Sequence, residues 1–594
     1  MTDTRHSLPP VPTPSAPPAA ESDAATGALS VRSETAPARS ETAPAPSAST
    51  AAGTAGAGAP AASEAASSGS ERASGRFLAR AAFLTALLTA AGAVFGLVRD
   101  QTIAHLYGAG PDTDAFLVAW TVPEMASTLL IEDAMALILV PAFSLALARR
   151  AAVPAPGGDP VRQLMRTTLP RLCLALSAGA ALLMATAPWV VAGLAPGLPE
   201  PGLAVDCTRL TATCVFTFGM AGYCSAALRA HGSFVAPAMI YAAYNVGIIA
   251  TMLAFRDTWG VRAAAAGVAL GGVLMVLVQA PVLWRRLKER LPAAGRETKT
   301  DAGGPPVAFG LLAPVVVFAL SRQSQVLIER FQAAPLPAGA ISHLNYAQKV
   351  AQMPMTLSLM LCTVTFPVVA RAMAAGERDV ARRRVERDLA LAGIIVLVGA
   401  ATVISCAPQF VEVLFQRGAF DRADTAATAA VIRVYALGLL GHTLVGALVR
   451  CYFSAARPLW FPALAMLTGL ALTTGAGALL VDVWGVLGIA AANALGITVT
   501  AILLLCRVGR HSVPVRIRHM TGGLVKLSAA AAAATGSGWL CGALIPSPVL
   551  GAAAACVVVA AVFLVIARAL RAPEIDTILR PLLRPVSRKH AHAR

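Results

Sequence analysis

The chain has 594 residues, 56% of them hydrophobic and 13% charged, with 48 Lys and Arg against 31 Asp and Glu for a formal net charge of +17. Soluble proteins carry about 25% charged residues, so this composition excludes a soluble enzyme and indicates an all-α polytopic membrane protein. The basic residues lie in short segments between apolar runs, a positive-inside pattern that argues against nucleic-acid binding.

Residues 1–76 are rich in Ala, Pro, Ser and Thr, with a short repeat, SETAPARSETAPAPS, from Ser33 to Ser47. Such a segment cannot bury enough apolar surface to offset its ordering entropy, so it reads as a disordered cytoplasmic tail. It lacks the layout of a cleaved signal peptide. Arg72, Arg76 and Arg80 precede the first apolar run and favour a cytoplasmic N-terminus.

About fourteen membrane spans follow, each long enough to cross about 30 Å of hydrocarbon. Six of them, 77–98, 113–147, 164–193, 204–229, 234–255 and 261–284, make an N-lobe over 77–290. A further six, 306–331, 339–373, 387–406, 425–454, 458–481 and 484–506, make a C-lobe over 306–506. The last two, 520–545 and 549–570, lie within 518–570, and a basic cytoplasmic tail, 571–594, closes the chain. Inner loops carry cations such as Arg149, Arg150, Arg162, Arg285, Arg286 and Lys288, whereas the outer loops 194–203, 332–338 and 546–548 have no Lys or Arg. The alternation implies an even number of spans with both termini cytoplasmic. Shifting the chain by 226 residues lays Pro141 over Pro367 and Arg99 over Gln325. Such an internal repeat suits a transporter of two lobes around a midplane site, although an accidental match stays open.

Ionisable side chains within these spans are expensive and mark candidate sites. Phe95–Phe143 contains Arg99, Asp100, Asp114, Glu124, Glu132 and Asp133. Asp114, Thr121, Thr128 and Glu132 share one helical face, and Pro123 in their midst predicts a kink that frees carbonyls for a neighbour to satisfy. The alternative for Asp114 and Glu132 is a position at the two membrane interfaces. In the seventh span Arg322, Gln325 and Glu329 share a face, with Arg330 beside it. In the eighth, Ser342, Asn345, Lys349 and Gln352 form a stripe that ends at Pro354. Two such stripes make an anion site suited to phosphate or pyrophosphate. An internal pair of Arg322 with Glu329 or Glu132, holding helices together, is the other reading.

Ten cysteines are scattered singly, with neither a CxxC pair nor zinc-like spacing to a His, so no disulfide framework or metal site is indicated. No Walker A loop, HExxH, GxSxG or dinucleotide turn is present. The sequence therefore indicates a transporter without a cofactor, driven by a coupling ion, the membrane potential or substrate flux.

Four ordered segments, GLVRDQTIAHLYGAGPDTDAFLVA (Gly96–Ala119), ISHLNYAQKVAQMP (Ile341–Pro354), VTFPVVARAM (Val364–Met373) and VLFQRGAFD (Val413–Asp421), resemble the MurJ/MviN family, the lipid II flippases of the MOP exporter superfamily. The resemblance implies a cavity open alternately to each side of the membrane, whose cations receive the pyrophosphate of a lipid-linked cell-wall precursor. It further implies a groove for the polyprenyl tail in the last two helices. Arg99 looks like a cavity arginine of the family, Asp114 and Glu132 match its acidic positions, and Lys349 falls where the family has an arginine. The chain departs from the pattern at Ala93, at Ala126, Ser127 and Thr128, and at Gln348. Arg322 is the candidate to compensate.

The expectation is thus a multi-pass cell-membrane flippase for lipid II, acting by alternating access, with membrane lipids around it. Cell-wall or division proteins are candidate partners of the N-terminal tail. Two alternatives stay open: an exporter of another lipid-linked oligosaccharide or amphipathic cation, and a transport-dead scaffold of the cell-wall machinery.

Overall fold

A computed structural model of the chain describes residues 61–152, 159–288, 309–374, 377–453, 459–511 and 515–572. The chain divides into two compact units, Met1–Glu71 and Arg72–Arg594. Of the first unit the described residues, 61–71, are helical; the second unit holds all the others. Most of the C-terminal tail and most of the expected N-terminal tail lie outside the described residues. Helix nevertheless begins at Ala61, ahead of the expected 77, because Ala, Glu and Arg between them are good helix formers.

Among the described residues the chain is helical throughout. The elements are α1 (Ala61–Tyr107), α2 (Pro111–Ser127), a π-helical turn (Thr128–Ala134), α3 (Met135–Ala152), α4 (Pro160–Leu194), α5 (Pro201–Ala230), α6 (Val235–Trp259), α7 (Arg262–Lys288) and α8 (Phe309–Ala333). They continue with α9 (Ala340–Ala374), α10 (Arg378–Ser405), α11 (Ala407–Leu414), α12 (Arg422–Tyr435), α13 (Leu439–Phe453), α14 (Phe461–Trp484), α15 (Val486–His511), α16 (Ile517–Leu544) and α17 (Pro548–Ala569). Among the described residues 11 helical segments are long and apolar enough to cross a membrane. The chain is an integral membrane protein of many helices. The other expected spans fall on α1, α8 and α9. Helices α8 and α9 carry the polar stripes, and the early side chains of α1 are not described.

Apolar faces alone give little drive to association in lipid, so helices meet where small residues let backbones approach. Gly247 of α6 faces Gly271 of α7, and a Cβ at Gly247 would lie 2.9 Å from the Gly271 Cα. In the other half, a Cβ at Gly438 would lie 2.9 Å from the Ala494 Cα of α15. Helix α5 forms the centre of the first half, against α2, α3, α4 and α7, while α15 packs along α13 and α14 in the second. Helix α16 lies on α10 and α17. The halves meet chiefly where α2 touches α8 and α9 and where α4 touches α8.

Pro123 lies inside α2, and a neighbouring helix satisfies the carbonyl it frees. Helix α2 continues through it to Ser127, and the distortion comes later, as the π-helical turn at Thr128–Ala134. The carbonyl that Pro123 leaves without an intrahelical donor is that of Ala119, four residues earlier. Thr211 of α5 donates its hydroxyl to that oxygen at 3.2 Å. The π-turn sits against Gly222 of α5, where a Cβ would lie 2.6 Å from the Leu130 carbonyl oxygen.

Candidate functional site

Most of the two polar stripes of α8 and α9, all but Glu329 and Ser342, faces one cavity. It holds about 210 Å³ and is lined by Thr121, Glu124, Met125 and Thr128 from α2 and its π-turn. Helix α8 adds Arg322, Gln323, Gln325, Val326 and Arg330; α9 adds Asn345, Gln348, Lys349, Gln352 and Met355; Tyr435 and His442 complete the wall. Three cations thus stand against one carboxylate, with five side-chain amides among them. No metal-ligand cluster of His, Cys, Asp or Glu occurs among the described residues.

Arg330 is the most constrained cation. It is 3% exposed, donates from Nη1 to the Ile341 carbonyl at 3.0 Å and from Nη2 to Asn345 Oδ1 at 3.1 Å. Its Nε is buried without a hydrogen-bond partner. The α8–α9 turn therefore holds the guanidinium at the cavity wall. Lys349 reaches across to the other half, with Nζ 3.3 Å from Glu124 Oε1. Both members of that pair remain partly open to the cavity, their side chains 32% and 40% exposed. Arg322 is exposed at the rim, and Gln325 is buried in the wall between Arg322 and Arg330. Gln348 donates to the Tyr435 hydroxyl at 3.0 Å.

Two expected site residues, Arg99 and Glu329, lie elsewhere, and the side chain of a third, Glu132, is not described. Arg99 is buried, and its guanidinium donates to Asp100 Oδ1 at 2.7 Å and to Asn245 Oδ1 at 3.0 Å, 4.4 Å above the Trp120 ring. Asn245 in turn donates to the Gly92 carbonyl at 3.1 Å, so this cluster fastens α1 to α6 rather than lining the cavity. Glu329 turns away from the cavity and accepts a hydrogen bond from Asn493 Nδ2 of α15. Asn493 Oδ1 lies 3.2 Å from His442 Nε2, linking the cavity wall to the buried carboxylate. Glu132 falls on the π-turn, and its side chain lies outside the described residues.

Asp114, in the first turn of α2, is buried rather than open to water. Its oxygens accept the backbone N–H groups of Gly339 and Ser342, each at 2.7 Å, and the Ser342 hydroxyl. These are donors at the start of α9, which a negative charge satisfies well. The same end of the molecule holds further contacts between the halves. Ala419 N–H donates to the His105 carbonyl at 3.0 Å. Gly339, at φ +94°, would bring a Cβ within 2.6 Å of the Ala109 carbonyl oxygen. The α1–α2 loop is thereby clasped to the α8–α9 and α11–α12 loops.

Glu124 was not singled out from the sequence beyond its charge, although it lies between Thr121 and Thr128 at helical spacing. Tyr435 and His442 carried no local signal, being lone polar residues in apolar runs.

The family profile described as lipid II flippase MurJ matches residues 103–553. That stretch covers most of the helices just described, including every residue of the cavity. The chain belongs to the MurJ family of lipid II flippases. The lipid II flippase MurJ of Burkholderia cenocepacia is 28% identical over 386 residues, 64% of this chain and 73% of that protein. The probable lipid II flippase MurJ of Bdellovibrio bacteriovorus is 26% identical over 450 residues, 74% and 83% of the two chains. In fold, the chain is similar to a lipid II flippase MurJ solved in an inward closed conformation. The TM-score is 0.65 at 16% identity, over 84% of this chain and all (100%) of that one. An inward-facing multidrug transporter of the MATE family, in the MOP superfamily, has a TM-score of 0.55 at 15% identity over 72% of this chain and 95% of that one. Flippases and transporters, not enzymes, are thus what the chain is similar to. At the positions where the sequence departs from the family pattern, Ala93 is exposed on α1. The Ser127 and Thr128 hydroxyls donate to the Glu124 carbonyl at 2.9 and 3.3 Å.

Proposed function

We propose that this chain moves lipid II, an undecaprenyl-pyrophosphate-linked peptidoglycan precursor, across the cytoplasmic membrane by alternating access. The observation that carries the reading is the cavity between α2 and the α8–α9 pair, with Arg322, Arg330 and Lys349 turned towards one space. A pyrophosphate accepts charge-assisted hydrogen bonds from guanidinium and ammonium donors. The amides Gln325, Asn345 and Gln352 offer hydrogen bonds to neutral sugar or peptide groups of the same substrate.

In this mechanism residues 77–290 and 306–506 act as two lobes rocking about the cavity, and 518–570 serves the polyprenyl tail. Both termini face the cytoplasm in this reading, because Arg149, Arg150, Arg285 and Arg286 mark one end of the bundle and the outer loops 194–203, 332–338 and 546–548 lack Lys and Arg. The Asp114 clasp then closes the outer side, and the cavity takes its substrate from the inner side. An incoming pyrophosphate competes with Glu124 for Lys349, so substrate binding frees the pair that bridges α2 and α9. Arg99 acts in this scheme as a fastener of α1.

The test is complementation of a strain depleted of its own flippase, combined with an assay of lipid II exposed on the outer leaflet. The wild-type chain restores growth and lipid II exposure. The variant Arg322→Ala/Arg330→Ala/Lys349→Ala, confirmed in the membrane, restores neither. Full restoration by that variant would end the reading.

A further inference from the structure

A second cavity, of about 300 Å³, opens at the end of the bundle that carries the basic loops, far along the chain from the substrate residues. It is lined by Arg162, Met165 and Arg166 of α4 and by Trp284, Leu287 and Lys288 of α7. Each helix contributes the same spacing, i, i+3 and i+4, which puts its three residues on one face. Both helices pack along α5. Val161 and Leu283, next to the cavity residues on each helix, belong to one apolar cluster with Leu228 of α5.

The chemistry of the walls divides cleanly. Arg162, Arg166 and Lys288 are exposed cations. Lys288 Nζ lies 5.0 Å from the Trp284 ring centroid. Asp159 is the near carboxylate, 3.8 Å from Arg162, but it is shared with Arg150 at 3.5 Å. Among the described residues no carboxylate pairs with Arg166 or Lys288. Below the cations the walls are apolar: Met165 and Leu287 are half-buried, and the Trp284 ring is 62% exposed. An inorganic anion would use only the cations. An amphiphile with one phosphate and acyl chains would use both halves, and an exposed Trp is suited to the membrane interface. Basic pockets between membrane helices on the cytoplasmic side are suited to anionic lipid head groups.

We propose that this cavity binds an anionic phospholipid of the surrounding leaflet. Its phosphate sits between the two α4 arginines and Lys288, and its chains lie over Met165, Leu287 and Trp284. The lipid braces α4 against α7. The site requires only that the chain sit in a bilayer, so it stands or falls separately from the transport reading.

The experiment uses the full chain in detergent, with native mass spectrometry and thermal unfolding read against added phosphatidylglycerol, phosphatidylcholine or inorganic phosphate. The wild-type chain retains phosphatidylglycerol at least about tenfold more than phosphatidylcholine, and phosphatidylglycerol raises its Tm while inorganic phosphate does not. Arg162→Gln/Arg166→Gln/Lys288→Gln loses that preference, whereas Arg256→Gln, at the opposite end of the bundle, keeps it. Because all three cations are exposed, the single variant Arg166→Glu serves as a folding-safe check and weakens retention about fivefold or more. Equal retention of the two lipids overturns the proposal, as does an unchanged preference in the triple variant. A Tm rise with inorganic phosphate equal to that with phosphatidylglycerol overturns it in favour of a simple anion site.

Discussion

Asp114→Asn is the sharpest test of how the two halves are held together. The native carboxylate accepts two backbone N–H groups at 2.7 Å and one hydroxyl, all from residues 339–342. In the Asn variant one oxygen can stay on Ser342, but the amide nitrogen then faces the Gly339 N–H, donor against donor. A hydrogen bond to a charged group contributes about 1.5–3 kcal/mol. Loss of one such bond, with the repulsion that replaces it, costs about 3 kcal/mol in the clasped state alone. Once the loops separate, water satisfies either side chain, so the loss falls on the closed-to-open ratio, on the order of 100-fold at about 1.4 kcal/mol per decade. Spin labels at Asp112 and Ala338, both exposed beside the clasp, report this by pulsed dipolar spectroscopy. The wild-type chain gives a narrow short distance, and the variant gains a longer population. An unchanged distribution in Asp114→Asn, at unchanged Tm, would refute the clasp.

Four further expectations rest on the same contacts. Arg330→Lys cannot reach both the Ile341 carbonyl and Asn345, so it loses most transport and lowers Tm, as vesicle transport and thermal unfolding will report. A double-mutant cycle of Glu124→Ala and Lys349→Ala gives a coupling of no more than about 1 kcal/mol, since the pair is partly solvated; Lys349→Arg retains transport. Thr211→Val leaves the Ala119 carbonyl beside Pro123 without its donor and costs about 0.6–1.7 kcal/mol in an unfolding titration. Gly222→Ala forces the π-turn away from α5, costs about 1–3 kcal/mol as an overpacked contact, and shifts the same titration by more than Thr211→Val does.

The polar stripes of α8 and α9 could be read from spacing alone, since steps of three, four and seven residues fix a helical face. That is why Gln325, Arg330, Asn345 and Lys349 lie at one cavity. Spacing is blunter about a residue on the edge of the stripe. Glu329 and Arg330 are adjacent, and only Arg330 reaches the cavity, because Asn493 of α15 takes Glu329. Glu124 went unassigned because its role depends on Lys349, on a helix of the other half. Pro123 shows the same division. The freed carbonyl was predictable from the missing N–H, whereas the donor, Thr211, and the place where the helix distorts were not.

What the sequence determines by itself is local: an apolar run of sufficient length becomes a membrane helix, and periodicity marks its polar face. What tertiary structure decides is the fate of each buried charge. Arg99 finds Asn245 146 residues away, Glu329 finds Asn493 across 164, and Asp114 finds Gly339 across 225. A charge in an apolar medium must be paired or solvated. Whether its partner is a neighbouring helix or the open cavity depends on which faces the fold brings together, and neighbours in sequence carry no record of that choice.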